Sequence, residues 1–269
     1  MNNITKIIKL FVTIVRLLRL NKPGRIVTSV KALSRYLSDY REMERQITAS
    51  NLHFEITSFY PCLNEWSEQS GIANGHYFHQ DLLIAGKIHS GNPSKHVDIG
   101  SRIDGFVAHV ASFREIEVFD IRKLSSTHPN IIFKQFDMMN DNFGLRDYCD
   151  SISSLHVMEH LGLGRYGDTV DSQGHLKGLQ HILMMLKRGG KFYFSVPIGE
   201  QRIEFNAHRV FSLRYLFELL TRDYQIDSFS YVDDKGDLHR DVVTRDRDSD
   251  IENNFLCHYG CGIFELTKT

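Results

Sequence analysis

Cysteine is scarce: four residues in 269, at positions 62, 149, 257 and 261. So few thiols exclude a disulfide-stapled scaffold and read as free cysteines of a reducing compartment. Long apolar runs are absent. Leu10–Leu18 is the nearest, too short to span a bilayer and interrupted by Arg16. It also lacks a small-residue cleavage site, which argues against a secretory signal and leaves a cytoplasmic chain as the expectation. Net charge is nearly absent, at −1, which excludes a whole-molecule field for nucleic acid. Internal repeats and low-complexity tracts are missing too. Acidic residues are absent from residues 1–38, where Lys6, Lys9, Arg16, Arg19, Lys22, Arg25, Lys31 and Arg35 stand without an Asp or Glu.

What is present is ordinary for a globular protein with a real core, 42% hydrophobic and 24% charged. The length suits one full α/β domain with extra helical material, or two small domains. Helical spacing of Ile4, Ile7, Ile8, Phe11, Val15 and Leu18 predicts a basic amphipathic helix over 4–20, and a second is expected from Val27 to Gln46. Together they make a helical extension, 1–48. Its basic face suits either peripheral contact of residues 1–35 with an anionic membrane or packing on protein. The membrane contact is worth about 1 kcal/mol per cation near the lipid. Residues 49–92 form a mixed cap or linker, with a helix at Asp81–His89.

From 93 to 269 the pattern is regular. Short apolar runs at His96–Ile99, Ile116–Phe119, Ile131–Phe136, Ser151–Leu155 and Lys191–Val196 read as strands. Helical patterns at Ile103–Ser112 and His175–Lys187 lie between them, the second expected to end on Gly189-Gly190. A helix at Leu213–Thr221 and strands at Gln225–Val232 and Gly262–Thr267 follow. The charged stretch 233–254 is expected as a long loop, mobile or a lid. Alternating strand and helix predicts a mostly parallel sheet with helices on both faces.

The chemistry gathers at strand ends. His96-Val97-Asp98-Ile99-Gly100-Ser101-Arg102-Ile103-Asp104-Gly105 is strand, Gly turn, helix, and such a turn lets main-chain N–H groups approach a ligand. The second strand ends at Asp120, where a carboxylate accepts both hydroxyls of an adenosine ribose; the third ends at Asp137, followed by Met138 and Met139. The fourth ends in Ser154-Leu155-His156-Val157-Met158-Glu159-His160. His156 or His208 is the expected base for a hydroxyl acceptor, with Glu159 between the first and His160. Arg209 is expected to bind an anionic substrate group and His160 to touch substrate, although His160 and His208 equally suit hydrogen bonds to loop carbonyls.

Asp98-x-Gly100, Asp120, Asp137, the 154–160 run and Leu186-Lys187-Arg188-Gly189-Gly190 together resemble class I S-adenosylmethionine-dependent methyltransferases. The resemblance implies a Rossmann-like fold with a seven-stranded sheet and S-adenosyl-L-methionine as cofactor. It implies that the turn of Asp98, Gly100, Ser101, Arg102 and Gly105, with Leu155, holds the methionine end. Asp120 would take the ribose; Asp137 and Met138 would meet the adenine. His-Val-Asp-Ile-Gly-Ser and Asn206-Ala207-His208-Arg209 resemble a little-characterised family of unknown function, often encoded among surface-polysaccharide genes. The activity implied is O-methylation of a small or glycan-linked substrate.

Arg102 departs from the pattern, standing where the family carries a central Gly. It either pairs with the cofactor carboxylate or fills the pocket of a non-catalytic scaffold. An oxidoreductase would need Gly-x-Gly-x-x-Gly, and only Gly100 and Gly105 are present. His156-x-x-Glu159-His160 matches an inverted zincin string, yet Gly162 and Gly164 interrupt the helix that chemistry needs. Some quinone-pathway O-methyltransferases hold a divalent ion by an acid-His pair. Here His156 replaces one of their acids, which argues against a resident metal. Cys257 and Cys261 read as packed thiols.

Overall fold

The computed structural model describes residues 26–50, 54–63, 65–140 and 144–269. The predicted 4–20 helix and the basic cluster up to Arg25 lie outside the described residues. The chain divides into two compact units between Ile72 and Ala73. No described helix is long and apolar enough to cross a membrane.

The first unit is built on α1, Ile26–Ala49. Its exposed face carries same-face ion pairs that favour helix locally. Arg45 donates to both oxygens of Glu42 at 2.8 and 2.6 Å, and Arg35 lies 3.6 Å from Asp39. Tyr40 meets Phe59 edge-on, and the Arg35 guanidinium sits 4.9 Å from the Trp66 ring centroid.

The second unit opens with α2, His76–Gly91, which the periodicity shows only from Asp81. Then come β1 (His96–Ile99), a widened turn at Ile103–Val107 running into α3 (Ala108–Ala111), β2 (Ile116–Asp120), β3 (Ile131–Gln135) and β4 (Cys149–Leu155). These are followed by α4 (Gly174–Met185), β5 (Leu186–Ile198), the hairpin β6 (Arg202–Glu204) and β7 (His208–Val210), and α5 (Leu213–Leu220). The unit closes with β8 (Tyr224–Val232), β9 (Leu238–His239), α6 (Asp248–Glu252) and β10 (Gly260–Lys268).

Eight strands form one sheet, in the order β3-β2-β1-β4-β5-β10-β8-β9. The first five are parallel; β10 runs antiparallel between β5 and β8. The expected seven strands are all there. The eighth, β9, pairs with β8 to form the edge of the sheet and comes from the stretch read as a loop. That stretch also holds α6, so it is not structureless.

Successive strand residues point to opposite faces, and both faces are covered. Phe192, Phe194 and Phe264 pack with Ile182, Met185, Leu213 and Leu216 of α4 and α5. Tyr193 and Ile263 point the other way, into Leu83 and Ile84 of α2, Val107 of the widened turn and Val110 of α3. Helices on both faces of a mostly parallel sheet are therefore present.

One expected helix end is different. The last turn of α4 gives way to extended backbone at Leu186. Gly189-Gly190 instead lies in a bulge of β5, where pairing with β4 jumps from Cys149–Leu186 to Ser151–Lys191. Gly190 is tight, since a Cβ there would stand 2.7 Å from Leu186 Cδ1.

Phe264 is wholly buried and touches rings from three other elements: Phe194, Phe217 and Phe229, the last at 4.9 Å between centroids. Phe264→Ala is expected to cost about 3–5 kcal/mol. Urea unfolding of the purified second unit, or of the whole chain, measures it, and a loss below ~1 kcal/mol would contradict this packing.

Candidate active site

The first strand ends on a buried carboxylate. Asp98 accepts from Ser101 N at 2.9 Å, Ser101 Oγ at 2.7 Å and Ser153 Oγ of β4 at 2.6 Å. Burial pushes its pKa up to about 7, against the opposing pull of Ser153 and Ser101. Asp98 and Ser101, expected at the cofactor, thus hold the turn together from beneath. Between them Gly100 sits at φ +69°, and a Cβ there would lie 2.9 Å from Val157 Cγ1. Gly100 N donates to Phe119 O at 2.8 Å, which ties the turn to β2.

Past this turn a narrow crevice of about 60 Å³ opens at the carboxyl ends of the strands. The order reverses at β1, which lies between β2 and β4. Gly100, Asp120, Asp137, Met138, His156 and His160 all line the crevice, with Phe119 and Phe136 among its apolar walls. The strand-end residues expected around one ligand are therefore brought together. Asp137 also accepts from Met139 N at 2.8 Å.

Arg102 does not enter the crevice. Its half-exposed guanidinium makes a two-bond pair with Asp104, at 3.1 and 3.0 Å, and lies over the Tyr77 ring. Another arginine stands there instead. Arg122 lines the crevice and donates to both oxygens of Asp120, at 3.0 and 2.5 Å, while resting on the Tyr166 ring.

His156 follows β4 with φ +56°, a left-handed backbone uncommon for a side chain of this size. Its N–H donates to Ser195 O, fixing it against β5. Nδ1 is 2.7 Å from Glu159 Oε1, both side chains being almost wholly buried. Burial opposes the imidazolium, yet the neighbouring Cys261 and Glu159 outweigh it and hold the pKa well above the usual value. The first turns of α2 cover this ring. His76 stacks on it at 5.3 Å, Tyr77 lies at 5.1 Å, and burial beside His156 pushes the His76 pKa down to about 4. Gln80 accepts from Ser195 Oγ at 2.6 Å and donates to Asp81. Burial raises the Asp81 pKa to about 6, and a Cβ on Gly105 would meet Asp81 Oδ2 at 2.9 Å.

Other expected site residues are placed elsewhere. Arg209 is buried and spends its guanidinium on main-chain carbonyls of Leu161 (2.6 Å), Ser172 (3.3 Å), Asp171 and Glu159 (both 3.4 Å). An arginine so used clamps loops and leaves little to offer an anionic substrate. His160 gives Nδ1 to Ala207 O at 2.7 Å, the loop-carbonyl alternative, while still touching the crevice. His208 is not in the crevice wall; its ring packs on Tyr259, which packs in turn on His76. Leu155 is buried in the core between β4 and α2.

The sequence-level reading did not find His76, Asp81 or Arg122. For the first two a signal existed. His76, Gln80 and Asp81 put polar groups one turn apart on the face that also carries Ile84 and Ile88.

The model of one protein family matches residues 107–256, more than half of the chain: "Caenorhabditis protein of unknown function, DUF268". The chain belongs to the DUF268 family. No curated protein matches this DUF268 chain. Among solved structures it is similar to the N-methyltransferase NodS of Bradyrhizobium japonicum WM9 in complex with S-adenosyl-L-homocysteine. That similarity has 13% identity and TM-score 0.50, covering 72% of this chain and 88% of that one. It is also similar to the 1,6-didemethyltoxoflavin-N1-methyltransferase of Burkholderia thailandensis, at 12% identity and TM-score 0.51, covering 93% and 91%. At such identities the likeness establishes the fold, a Rossmann-like methyltransferase fold.

The raised pKa of Asp98 has a thermodynamic consequence. An acid that is harder to ionise folded than unfolded adds stability below its unfolded pKa, near 4, and loses that contribution as pH rises through about 7. Asp98→Asn removes the titration. Urea midpoints of the two proteins between pH 4 and 8 should show any advantage of the wild type shrinking as pH rises; parallel curves would contradict it.

Proposed function

We propose that this DUF268 chain is an S-adenosylmethionine-dependent methyltransferase acting on an oxygen of a small or glycan-linked substrate. The observation that carries the reading is the convergence of Gly100, Asp120, Asp137 and His156, from four successive strand ends, on one crevice.

The residues present fit the cofactor. At Gly100 there is no side chain to block approach to the turn. Asp120 offers two acceptor oxygens for ribose hydroxyls in place of its Arg122 partner. Asp137 offers an acceptor for an adenine amino group, and Met138 with Phe119 and Phe136 provides apolar walls for the ring. S-adenosylmethionine supplies a methyl group already activated on a sulfonium. What is left to the protein is to align an acceptor oxygen and receive its proton. The His156–Glu159 pair suits the second task once the ring is neutral: Glu159 fixes it and balances the charge that a proton would bring, and the raised pKa places its work as a base above neutral pH. Support for a small-molecule acceptor comes from the toxoflavin precursor named for the Burkholderia relative in fold. A glycan acceptor and a surface-polysaccharide setting rest on the sequence resemblance alone.

The rival reading, a non-catalytic scaffold, depended on Arg102 filling the pocket. Its guanidinium is turned out to Asp104.

Calorimetry with S-adenosylhomocysteine tests the proposal. The wild type should bind, and Asp120→Ala should weaken binding by about 1.5–3 kcal/mol through loss of a charge-assisted bond. Arg102→Ala, which removes only an exposed pair, should change the dissociation constant by no more than about twofold. No heat with the wild type would sink the cofactor assignment, and an unaffected Asp120→Ala would remove that carboxylate from the site.

A further inference from the structure

We infer that His76, His156 and Cys261 form a binding site for a divalent zinc-like ion at the edge of the crevice. The site deepens the methyltransferase reading and rests on it only for the metal's purpose, not for its existence. One ring nitrogen of His76, one of His156 and Sγ of Cys261 all lie within 4.8 Å of one another. They come from three separated elements: the first residue of α2, the end of β4 and the second residue of β10.

The second observation is the state of the rings. Histidines that ligate metals usually give their other nitrogen to a carboxylate or a main-chain carbonyl, which fixes tautomer and orientation. His156 has that arrangement, with Nδ1 on Glu159 at 2.7 Å. His76 has it as well, through a hydrogen bond to the Tyr259 main chain. The remaining nitrogen of His156, Nε2, is buried in a side chain only 5% exposed, has no oxygen or nitrogen partner, and is left to face the Cys261 sulfur.

The donor set decides the ion. Two imidazoles and a thiolate suit zinc, and hard cations such as magnesium or calcium prefer oxygen. Zinc bonds of about 2.0–2.1 Å to nitrogen and 2.3 Å to sulfur put tetrahedral ligand atoms roughly 3.3–3.6 Å apart, so the three atoms, now within 4.8 Å of one another, would draw together by up to about 1.5 Å. Three protein ligands leave one position open, as in catalytic zinc sites. His156 belongs both to this cluster and to the crevice wall. With zinc bound, His156 would serve as a ligand in place of the base, and the open position suits an acceptor oxygen, whose proton the ion would loosen and release to solvent. Cys257, four residues before Cys261, is outside the cluster.

Equilibrium binding of zinc and cobalt(II) to the purified, chelator-treated full chain tests the site. The wild type should take up one equivalent, and its cobalt form should show a thiolate-to-cobalt charge-transfer band in the near ultraviolet. Cys261→Ser should lose that band, and His76→Ala should weaken zinc at least tenfold. Both variants should keep their affinity for S-adenosylhomocysteine, which also shows that they are folded. A wild type that takes up no zinc, or whose cobalt form lacks the band, overturns the site. Zinc affinity unchanged in both variants overturns it too. None of these outcomes touches the cofactor proposal, whose own failure would be an absence of S-adenosylhomocysteine binding.

Discussion

The buried carboxylate of Asp98 is the constraint on which the crevice depends. It lies at the end of β1, wholly inaccessible, and three donors converge on it from the next turn and from β4. A carboxylate out of water is costly unless its lone pairs are taken, so the turn must keep Ser101 folded back and β4 must keep Ser153 in register. That fixes where Gly100 passes Val157, and both residues line the crevice. Asp98 need not touch a ligand for the pocket to depend on it.

The backing of His156 is supplied from outside the sheet. The first turns of α2 carry polar groups, the half-buried His76 and the buried Gln80 and Asp81, on the face that further along packs Ile84 and Ile88 into the core. Each polar group finds a specific counterpart. Gln80 spans to Ser195 of β5, Asp81 fits against Gly105, and His76 stacks on His156. A helix end bound so closely to the ends of β1, β4 and β5 cannot be a detachable cap. Asp234, from the charged stretch after β8, ties in the far side by accepting from the N–H groups of His258 and Tyr259, both at 2.9 Å. The stretch read from sequence as a loop or lid is thus a support for the ring that packs on His76.

Legibility followed the kind of information each feature carries. Strands buried on both faces announce themselves as apolar runs, and β1 was readable to the residue. Asp98-x-Gly100, Asp120 and Asp137 were readable because each ends such a run. Gly189-Gly190 was misread as a helix cap, since two glycines after a helix look alike whether they stop it or bulge the next strand. Arg209 was misread because a guanidinium that serves carbonyls and one that serves an anion have the same sequence signature; only the count of carbonyls around it distinguishes them. The pairing of His76 with Cys261 was invisible, because it joins the two ends of the second unit. β9 was missed because two residues carry no periodicity.

Two arginines near the same turn illustrate how differently one residue type can act. Arg102, the departure from the family pattern, is turned outward by Asp104, two residues on, and costs the pocket nothing. Arg122, also two residues from its acid, turns inward and covers both oxygens of Asp120. Its guanidinium is half exposed while the carboxylate is mostly covered. An ion pair that open to water is worth little, so exchanging it for hydroxyl donors of a ligand carries a small net cost. Meanwhile the pairing holds both Asp120 oxygens at the crevice wall, where a carboxylate can accept from two hydroxyls at once. On the proposed cofactor reading, Arg122 is a placeholder for the ribose donors of Asp120, and until they arrive the carboxylate is not left unpaired.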